Sequence, residues 1–351
     1  MAPIPTTRTR LRAGPVAICA VTVVVAALVG AALGPVWIAP DRIVVWLVDQ
    51  LPWVQLAPSE PLTAVEQTIL LKVRLPRVVL GAVVGALLAG CGATFQGVFR
   101  NPLADPYLLG AASGAGLGAV VAITLGVGDG LGLVGAAAVP VFAFVGSLAA
   151  VTLTYLIGAG RRSGSATTAL VLAGVAVAAF LGAVQSFLLQ QHSDQLQEVY
   201  AWMMGRLVVA GWTEVLVAVP YAIVCGVVLI GGRRILDVLA VGDDEARTLG
   251  LDPRVARVVL VLAGTLGTAA AVSVAGLIGF VGLVVPHVVR LVWGGSFRVI
   301  VPLALLLGAS VLVLCDVVAR MAMAPAEIPI GVVTAFLGAP FFAMLLARGR
   351  T

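Results

Sequence analysis

Long apolar segments separated by short polar ones set the pattern of this chain, and most are about 20 residues or longer. The ten predicted spans cover residues 16–38, 68–95, 107–127, 131–157, 166–190, 212–232, 256–277, 279–293, 299–322 and 328–347. In a bilayer every backbone polar group needs an internal partner, so such segments are predicted to be helices. The pattern predicts an all-α polytopic membrane protein, with residues 1–351 as one transmembrane domain.

The distribution of basic residues predicts the orientation of these helices, because cytoplasmic ends carry an excess of arginine and lysine. With a cytoplasmic N-terminus, all but six of the 21 basic residues fall at cytoplasmic ends. The six exceptions are Arg42, Lys72, Arg74, Arg77, Arg206 and Arg320. The sequence therefore predicts ten transmembrane helices with both termini in the cytoplasm.

The composition excludes a soluble protein, since 61% of the residues are hydrophobic and only 11% are charged. The net charge of +5 follows from the basic cytoplasmic ends and implies membrane lipid, not nucleic acid, as a partner. The only lysine, Lys72, lies in Leu-Leu-Lys-Val, so the chain has no phosphate-binding P-loop. If ATP drives this protein, another subunit binds ATP and its magnesium.

No residue pattern predicts a metal site, a cofactor or a catalytic centre in this chain. The four cysteines lie singly in apolar segments, and neither His192 nor His287 has a partner at ligand spacing. The predicted spans hold no Ser/His/Asp constellation and no pair of acids. We therefore expect a non-catalytic membrane protein with no bound cofactor.

One charged interior stretch, residues 237–254 between the sixth and seventh spans, is too polar for the bilayer and is predicted to face the cytoplasm. Gly242 is predicted to break the chain, Asp243 to cap a short helix, and Gly250 to end it. Asp252 followed by Pro253 is a second helix start. The stretch has the form of a docking element, and an ordinary solvated loop is the alternative.

Four stretches together carry a family resemblance. They are Arg74-Leu-Pro-Arg77 with Gln96 and the RNPLADPYLLG sequence at 100–110, LAVGDDEARTLG at 239–250, GFVGLVVPHVVR at 279–290, and DVVAR at 316–320 followed by EIPIGVVTAFLGAPF at 327–341. In this order they resemble the permease family of type II ABC importers for iron–siderophore complexes, haem and vitamin B12. The resemblance covers about residues 65–347.

The resemblance implies a bacterial cytoplasmic-membrane importer made of two permease subunits, identical or different. Two cytoplasmic ATPase subunits would drive it, and an extracytoplasmic binding protein would deliver the substrate. The predicted cargo is an iron chelate, a ferric siderophore, with haem or cobalamin as alternatives. The central stretch would form the coupling helices that contact the ATPase. The matching residues are Leu239, Gly242, Asp243, Ala246, Leu249 and Gly250.

The resemblance also assigns roles outside the coupling stretch. Arg74, Arg77 and Arg320 would face outward and pair with acidic residues of the binding protein. The alternative for Arg320 is an ion pair with Asp316, four residues earlier. The resemblance places the cytoplasmic gate at Ser165, Thr167 and Thr168. Gln185 and Ser186, near the outer end of the fifth span, are predicted from their position to line the pathway. The alternative for the three gate residues is simple capping of a helix.

A secondary transporter is the rival from another class. It would need intramembrane acids for proton or sodium coupling. Asp316 lies deep in a predicted span, but Arg320 on the next turn would neutralise it. This pairing favours the importer over the secondary transporter.

Overall fold

The computed structural model describes residues 11–50, 61–127, 137–159, 166–207 and 211–348, and this part of the chain is almost entirely helical. The helices are α1 (Ala13–Ala32), α2 (Pro40–Asp49), α3 (Ala64–Val98), α4 (Ala111–Thr124), α5 (Ala138–Ala159), α6 (Ala166–Gln191), α7 (Leu196–Met203), α8 (Thr213–Val241), α9 (Asp243–Thr248), α10 (Pro253–Ala275), α11 (Val281–Trp293), α12 (Phe297–Met321) and α13 (Ile330–Arg348). The all-α class predicted from the sequence is confirmed.

Each of the ten predicted spans contains one apolar helix. Among the described residues, seven helices are long and apolar enough to cross a membrane, and three others are shorter, namely α4, α11 and α13. How many of them cross, and on which side the termini lie, stay predictions. The short helices α2 and α7 lie in segments that the sequence marked only as loops.

Two predicted boundaries were wrong. α3 begins at Ala64, before the predicted start at residue 68, and Thr63 and Glu66 form a reciprocal capping box there. Arg74 and Arg77 therefore lie inside this helix. A π-helical segment at Leu70–Arg74 precedes Pro76, which has no N–H to donate. α8 continues to Val241, well past the predicted end at residue 232.

α3 lies at the centre of the bundle, in contact with α8, α10, α11 and α12. Its glycines allow very close approach: a Cβ at Gly85 would overlap the carbonyl oxygen of Gly308 in α12, and one at Gly92 would overlap the carbonyl oxygen of Gly282 in α11. Lipid removes the hydrophobic drive between helices, so such close backbone contacts are a main source of packing energy. The glycines of α3 therefore have a direct structural role, because they let α11 and α12 pack against it closely.

We expect Gly85→Ala to lower the thermal stability of the purified protein, because the added methyl group has no room against α12. Overpacking of this kind costs about 1–3 kcal/mol. Gly226→Ala in α8 is the matched control, since a Cβ there meets nothing within 4 Å. The control should be neutral or slightly stabilising, because alanine favours helix over glycine. The melting temperature of each variant in detergent, monitored by loss of monodispersity on heating, measures both effects. Equal melting temperatures would contradict the packing account.

The predicted topology places Glu198 outside and Arg234 in the cytoplasm, and both side chains are exposed. Cysteine introduced at 198 should react with an impermeant thiol reagent added to intact cells, whereas cysteine at 234 should react only after lysis. The four native cysteines are buried, so the background should be low. The reverse labelling pattern would show that the chain is inserted the other way round.

Candidate functional site

The charged stretch after α8 forms a compact turn with a short helix at one end of the bundle. Gly242 is extended, α9 follows from Asp243 to Thr248, and Gly250 adopts a left-handed conformation (φ 78°). Asp252 then caps α10 by accepting from the N–H groups of Arg254 and Val255, at 2.8 and 3.4 Å. The predicted helix end and second helix start are confirmed. The predicted cap was wrong, because the carboxylate of Asp243 turns to arginines instead.

Asp243 joins α9 to two other helices, and we call Asp243, Arg100 and Arg257 the Asp243 clamp. Arg257 of α10 donates to both carboxylate oxygens, and Arg100, just beyond the end of α3, donates to Oδ1. Arg100 has a left-handed backbone (φ 50°) and also donates from Nε to the carbonyl of Leu239, at 2.7 Å. The clamp thus ties the short helix to the central helix α3.

The hydrogen bonds from Arg257 hold the pKa of Asp243 below its usual range. A lowered folded-state pKa means that the clamp contributes stability at neutral pH. This contribution is lost only as the pH falls through the lowered pKa of the carboxyl group. The Asp243 carboxylate is therefore charged at neutral pH.

The six predicted coupling residues divide by exposure. Leu239 and Ala246 are fully buried and fix α8 and α9 to the bundle. Leu249 is 71% exposed, and Gly250 has open space around it. Leu249 is therefore accessible to another protein, whereas Leu239 and Ala246 are not.

Asp237 is a residue whose role the sequence did not indicate. It accepts from the hydroxyl of Ser296 at 2.7 Å and from the N–H of Phe297 at 2.6 Å, so it caps α12 from α8. The sequence placed it in a solvated stretch because α8 was expected to end earlier. Only the longer helix brings its carboxylate to the start of α12.

The other end of α3 carries a charged network that we call the arginine cluster, comprising Arg74, Arg77, Asp316, Arg320 and Glu327. Arg74 donates to the carbonyls of Ala31, Ala32 and Val36. Arg320 donates to Asp316 at 2.9 Å and to the carbonyls of Leu33 and Gly30. The predicted ion pair between Arg320 and Asp316 is confirmed.

Arg74 and Arg77 do not share one exposed face. Three residues of helix leave the two side chains about 60° apart, and they reach opposite neighbours. Arg74 is 4% exposed and turns to the end of α1, whereas Arg77 reaches Asp316 and Glu327. Arg320 is only 7% exposed. Docking through these arginines stays a prediction, with Arg77 the closest of the three to an exposed partner.

Hydrogen bonds bring together two motifs that lie far apart in the sequence. The side-chain amide of Gln96 in α3 donates to the carbonyls of Gly282 and Leu283, both at 3.4 Å, and its oxygen accepts from Arg290 at 3.1 Å. The hydroxyl of Tyr107 bonds both backbone groups of Ile278. The contacts of Gln96 hold α11 against α3, and those of Tyr107 hold the segment before α4 against the segment between α10 and α11.

The predicted gate and pathway residues meet different outcomes. Ser165 lies outside the described residues, and Thr167 and Thr168 begin α6 with side chains that are not described. Gln185 is buried and contacts the sulfur of Met203, so it points into its own subunit. Ser186 is exposed and donates to the carbonyl of Gly182. A pathway role stays a prediction for both residues.

The two histidines differ: His192 has a backbone contact, whereas both ring nitrogens of His287 are buried without a hydrogen-bond partner among the described residues. His192 contacts the carbonyl of Leu188, and His287 lies against the rings of Phe341 and Phe342. Within the described residues, no group of three His, Cys, Asp or Glu side chains has the geometry of a metal site.

Comparison with known proteins places this geometry in a family. The sequence profile of the FecCD transport family matches residues 21–348. The chain belongs to the FecCD transport family. Among its relatives is the cobalamin import system permease protein BtuC of Halobacterium salinarum, 46% identical over 305 residues, which cover 84% of this chain and 79% of the relative.

Other relatives of this FecCD-family chain have names that refer to different cargoes. The hemin transport system permease protein HmuU of Yersinia pestis is 42% identical, over 80% of this chain and 83% of the relative. The Fe(3+)-citrate import system permease protein YfmD of Bacillus subtilis is 36% identical, over 81% and 83%. A solved metal-chelate type ABC transporter in an inward-facing conformation superposes with a TM-score of 0.81 at 27% identity, over 96% of this chain and all of that one.

We expect Asp243→Asn to loosen the short helix of this FecCD-family chain, because the clamp arginines lose their carboxylate. The three side chains are 26–38% exposed, so the loss should be about 0.5–1 kcal/mol, a two- to fivefold faster opening. Hydrogen exchange of residues 239–250 measures it. Asp244→Asn is the matched control, since that side chain is 92% exposed and pairs only with Arg247 three residues on. Equal exchange in both variants would contradict the clamp.

Proposed function

We propose that this chain is the membrane-spanning permease of an ATP-driven importer that carries an iron chelate into the bacterial cytoplasm across the inner membrane. The observation that carries this proposal is the short helix α9, held on the central helix by the Asp243 clamp and presenting Leu249 outward. Such an element transmits force between a cytoplasmic partner and the bundle. The partner that we propose is an ATPase, because a solved structure that this chain resembles is an ABC transporter. Without a P-loop of its own, the chain would need another subunit to bind ATP.

The cargo that we propose is a ferric siderophore, and haem and cobalamin are the alternatives. The relatives support the broader class, since their names refer to cobalamin, hemin and iron citrate. All three are large metal complexes that need a wide pathway. A pathway between two subunits provides that width, whereas the tightly packed interior of one bundle does not.

The second subunit that we propose is another copy of this chain. α13 carries Gly331, Ala335, Ala339 and Ala343 at four-residue intervals, and the last two are exposed, as are Phe336, Leu337 and Met344 nearby. Exposed small residues at this spacing suit close helix packing in a membrane. A different permease subunit would be the alternative partner.

The rival secondary transporter is disfavoured by the arginine cluster. Asp316 accepts from Arg77 and Arg320, both at 2.9 Å, so its negative charge is held within the protein. A coupling acid must exchange protons or ions during transport. An acid fixed by two arginines is a structural group.

Reconstitution tests the function. The chain is reconstituted in proteoliposomes with its ATPase and binding protein, and uptake of three labelled cargoes is measured: a ferric siderophore, haem and cobalamin. We expect uptake of one of them, and only when ATP is present in the vesicle lumen, which takes the place of the cytoplasm. Uptake without ATP but with a proton or sodium gradient would overturn the proposal in favour of the secondary transporter. Uptake of haem or cobalamin alone would correct the cargo and keep the importer.

We expect Leu249→Asp to lower association with the ATPase at least about tenfold, which corresponds to about 1.4 kcal/mol, because it puts a charge at an apolar contact. Copurification and ATP hydrolysis measure the loss. Val65→Asp is the matched control. Val65 is similarly exposed, but it lies at the start of α3, far from the charged turn at the other end of that helix. Normal association of Leu249→Asp with the ATPase would refute the coupling role of this turn.

A further inference from the structure

The guanidinium of Arg77 is held on two sides by acids of very different exposure. Its Nε donates to Oδ1 of Asp316 at 2.9 Å, and that carboxylate is 3% exposed. Its two terminal nitrogens donate to the two oxygens of Glu327, both at 2.9 Å, and the Glu327 side chain is 46% exposed. The contact with Asp316 is shielded from water, and the contact with Glu327 is partly exposed to it.

The two contacts therefore differ in how easily they break. Removing one partner of a buried ion pair leaves a buried charge, so Asp316 and Arg77 stay together. Glu327 is the more exposed of the two acids, so water and salt can replace it at Arg77 more easily than they can replace Asp316. Of the two acids, Glu327 is therefore the easier to displace, and the hydrogen bond to Asp316 is the one that would keep Arg77 oriented.

The cluster as a whole has an excess of positive charge. It contains three arginines and two acids, and Arg74 donates only to backbone carbonyls. The bidentate end of a guanidinium matches a carboxylate in shape as well as charge. The ligand that fits the end of Arg77 is thus a carboxylate, which is the group that Glu327 supplies from within the chain.

We propose that Glu327 is an internal placeholder, which occupies the end of Arg77 until a carboxylate of the extracytoplasmic binding protein displaces it. This inference rests on the proposed importer, in which that protein docks on this end of the bundle. Glu327 lies in the segment between α12 and α13, beside Ile328, whose N–H donates to the carbonyl of Ala319 at 2.9 Å. The side chain can swing away while its backbone stays attached.

The placeholder role predicts that one mutation strengthens docking of the binding protein instead of weakening it. Glu327→Gln removes the competing charge and also the repulsion that an incoming carboxylate would meet, so docking should tighten at least about threefold. If Glu327 served mainly to orient Arg77, the same variant would weaken docking. The hydrogen bond from Nε of Arg77 to Asp316 already orients the guanidinium, and this favours tighter docking.

The test measures binding of the full-length chain in nanodiscs to the binding protein of its own gene cluster, immobilised on a surface. Four variants are compared with the wild type: Glu327→Gln, Arg77→Gln, the double variant, and Glu198→Gln. Glu198 is the matched control, an exposed acid predicted to lie on the same side. Arg77→Lys replaces Arg77→Gln if the latter is not monodisperse, since lysine keeps the charge but lacks the fork.

We expect tighter binding for Glu327→Gln, no change for Glu198→Gln, and no gain from Glu327→Gln once Arg77 is replaced. Unchanged or weaker binding by Glu327→Gln would overturn the placeholder, as would a gain that persists without Arg77 or appears equally in Glu198→Gln. Wild-type affinity in Arg77→Gln would instead overturn docking through Arg77. Failure of the wild-type chain to bind would overturn the proposed importer.

Discussion

Close backbone contact along the central helix is the constraint on which the rest of this structure depends. α3 meets α12 at Gly85 and Gly308, and α11 at Gly92 and Gly282, where a single Cβ would overlap a carbonyl oxygen. In lipid this proximity replaces the hydrophobic effect as the source of helix packing. Because the middle of α3 is held so closely, its two ends have fixed positions relative to the other helices.

Both charged sites of the protein attach to this one helix. Arg77 lies near one end of α3, and Arg100 follows the other end directly, so a continuous helix of about 35 Å joins them. The Asp243 clamp ties the proposed ATPase contact to α3. The arginine cluster ties α3 to α12 and to the segment before α13. A displacement at either site therefore acts on the same rigid element.

The two sites differ in the solvation of their charges. In the arginine cluster, Asp316, Arg74 and Arg320 are buried, and the arginines also satisfy the last carbonyls of α1. Such a network is costly to break and defines a single arrangement. The clamp side chains are partly exposed, so water can replace their contacts more cheaply. The buried part of the cluster suits a fixed scaffold, whereas Glu327 and the clamp, which are partly exposed, suit contacts that change when a partner binds.

The sequence by itself determined the helical class, the position of an apolar helix in each predicted span, and the charged turn with its glycine end and its Asp252 cap. These features are local: hydrophobic length, helix caps and left-handed glycines act within a few residues. The arginines were also visible as charges on the unexpected side, although what they bind was not.

Only the tertiary structure decided where the charged side chains go. Asp243 appeared to be a cap from its neighbours in sequence, yet it binds Arg100 and Arg257, which other helices bring to it. Glu327 and Asp316 share Arg77 from opposite sides, although some 240 residues or more separate them from it in the chain. A long side chain chooses among all acceptors within reach, and packing of distant helices sets that choice, so the pattern of nearby residues could not predict it.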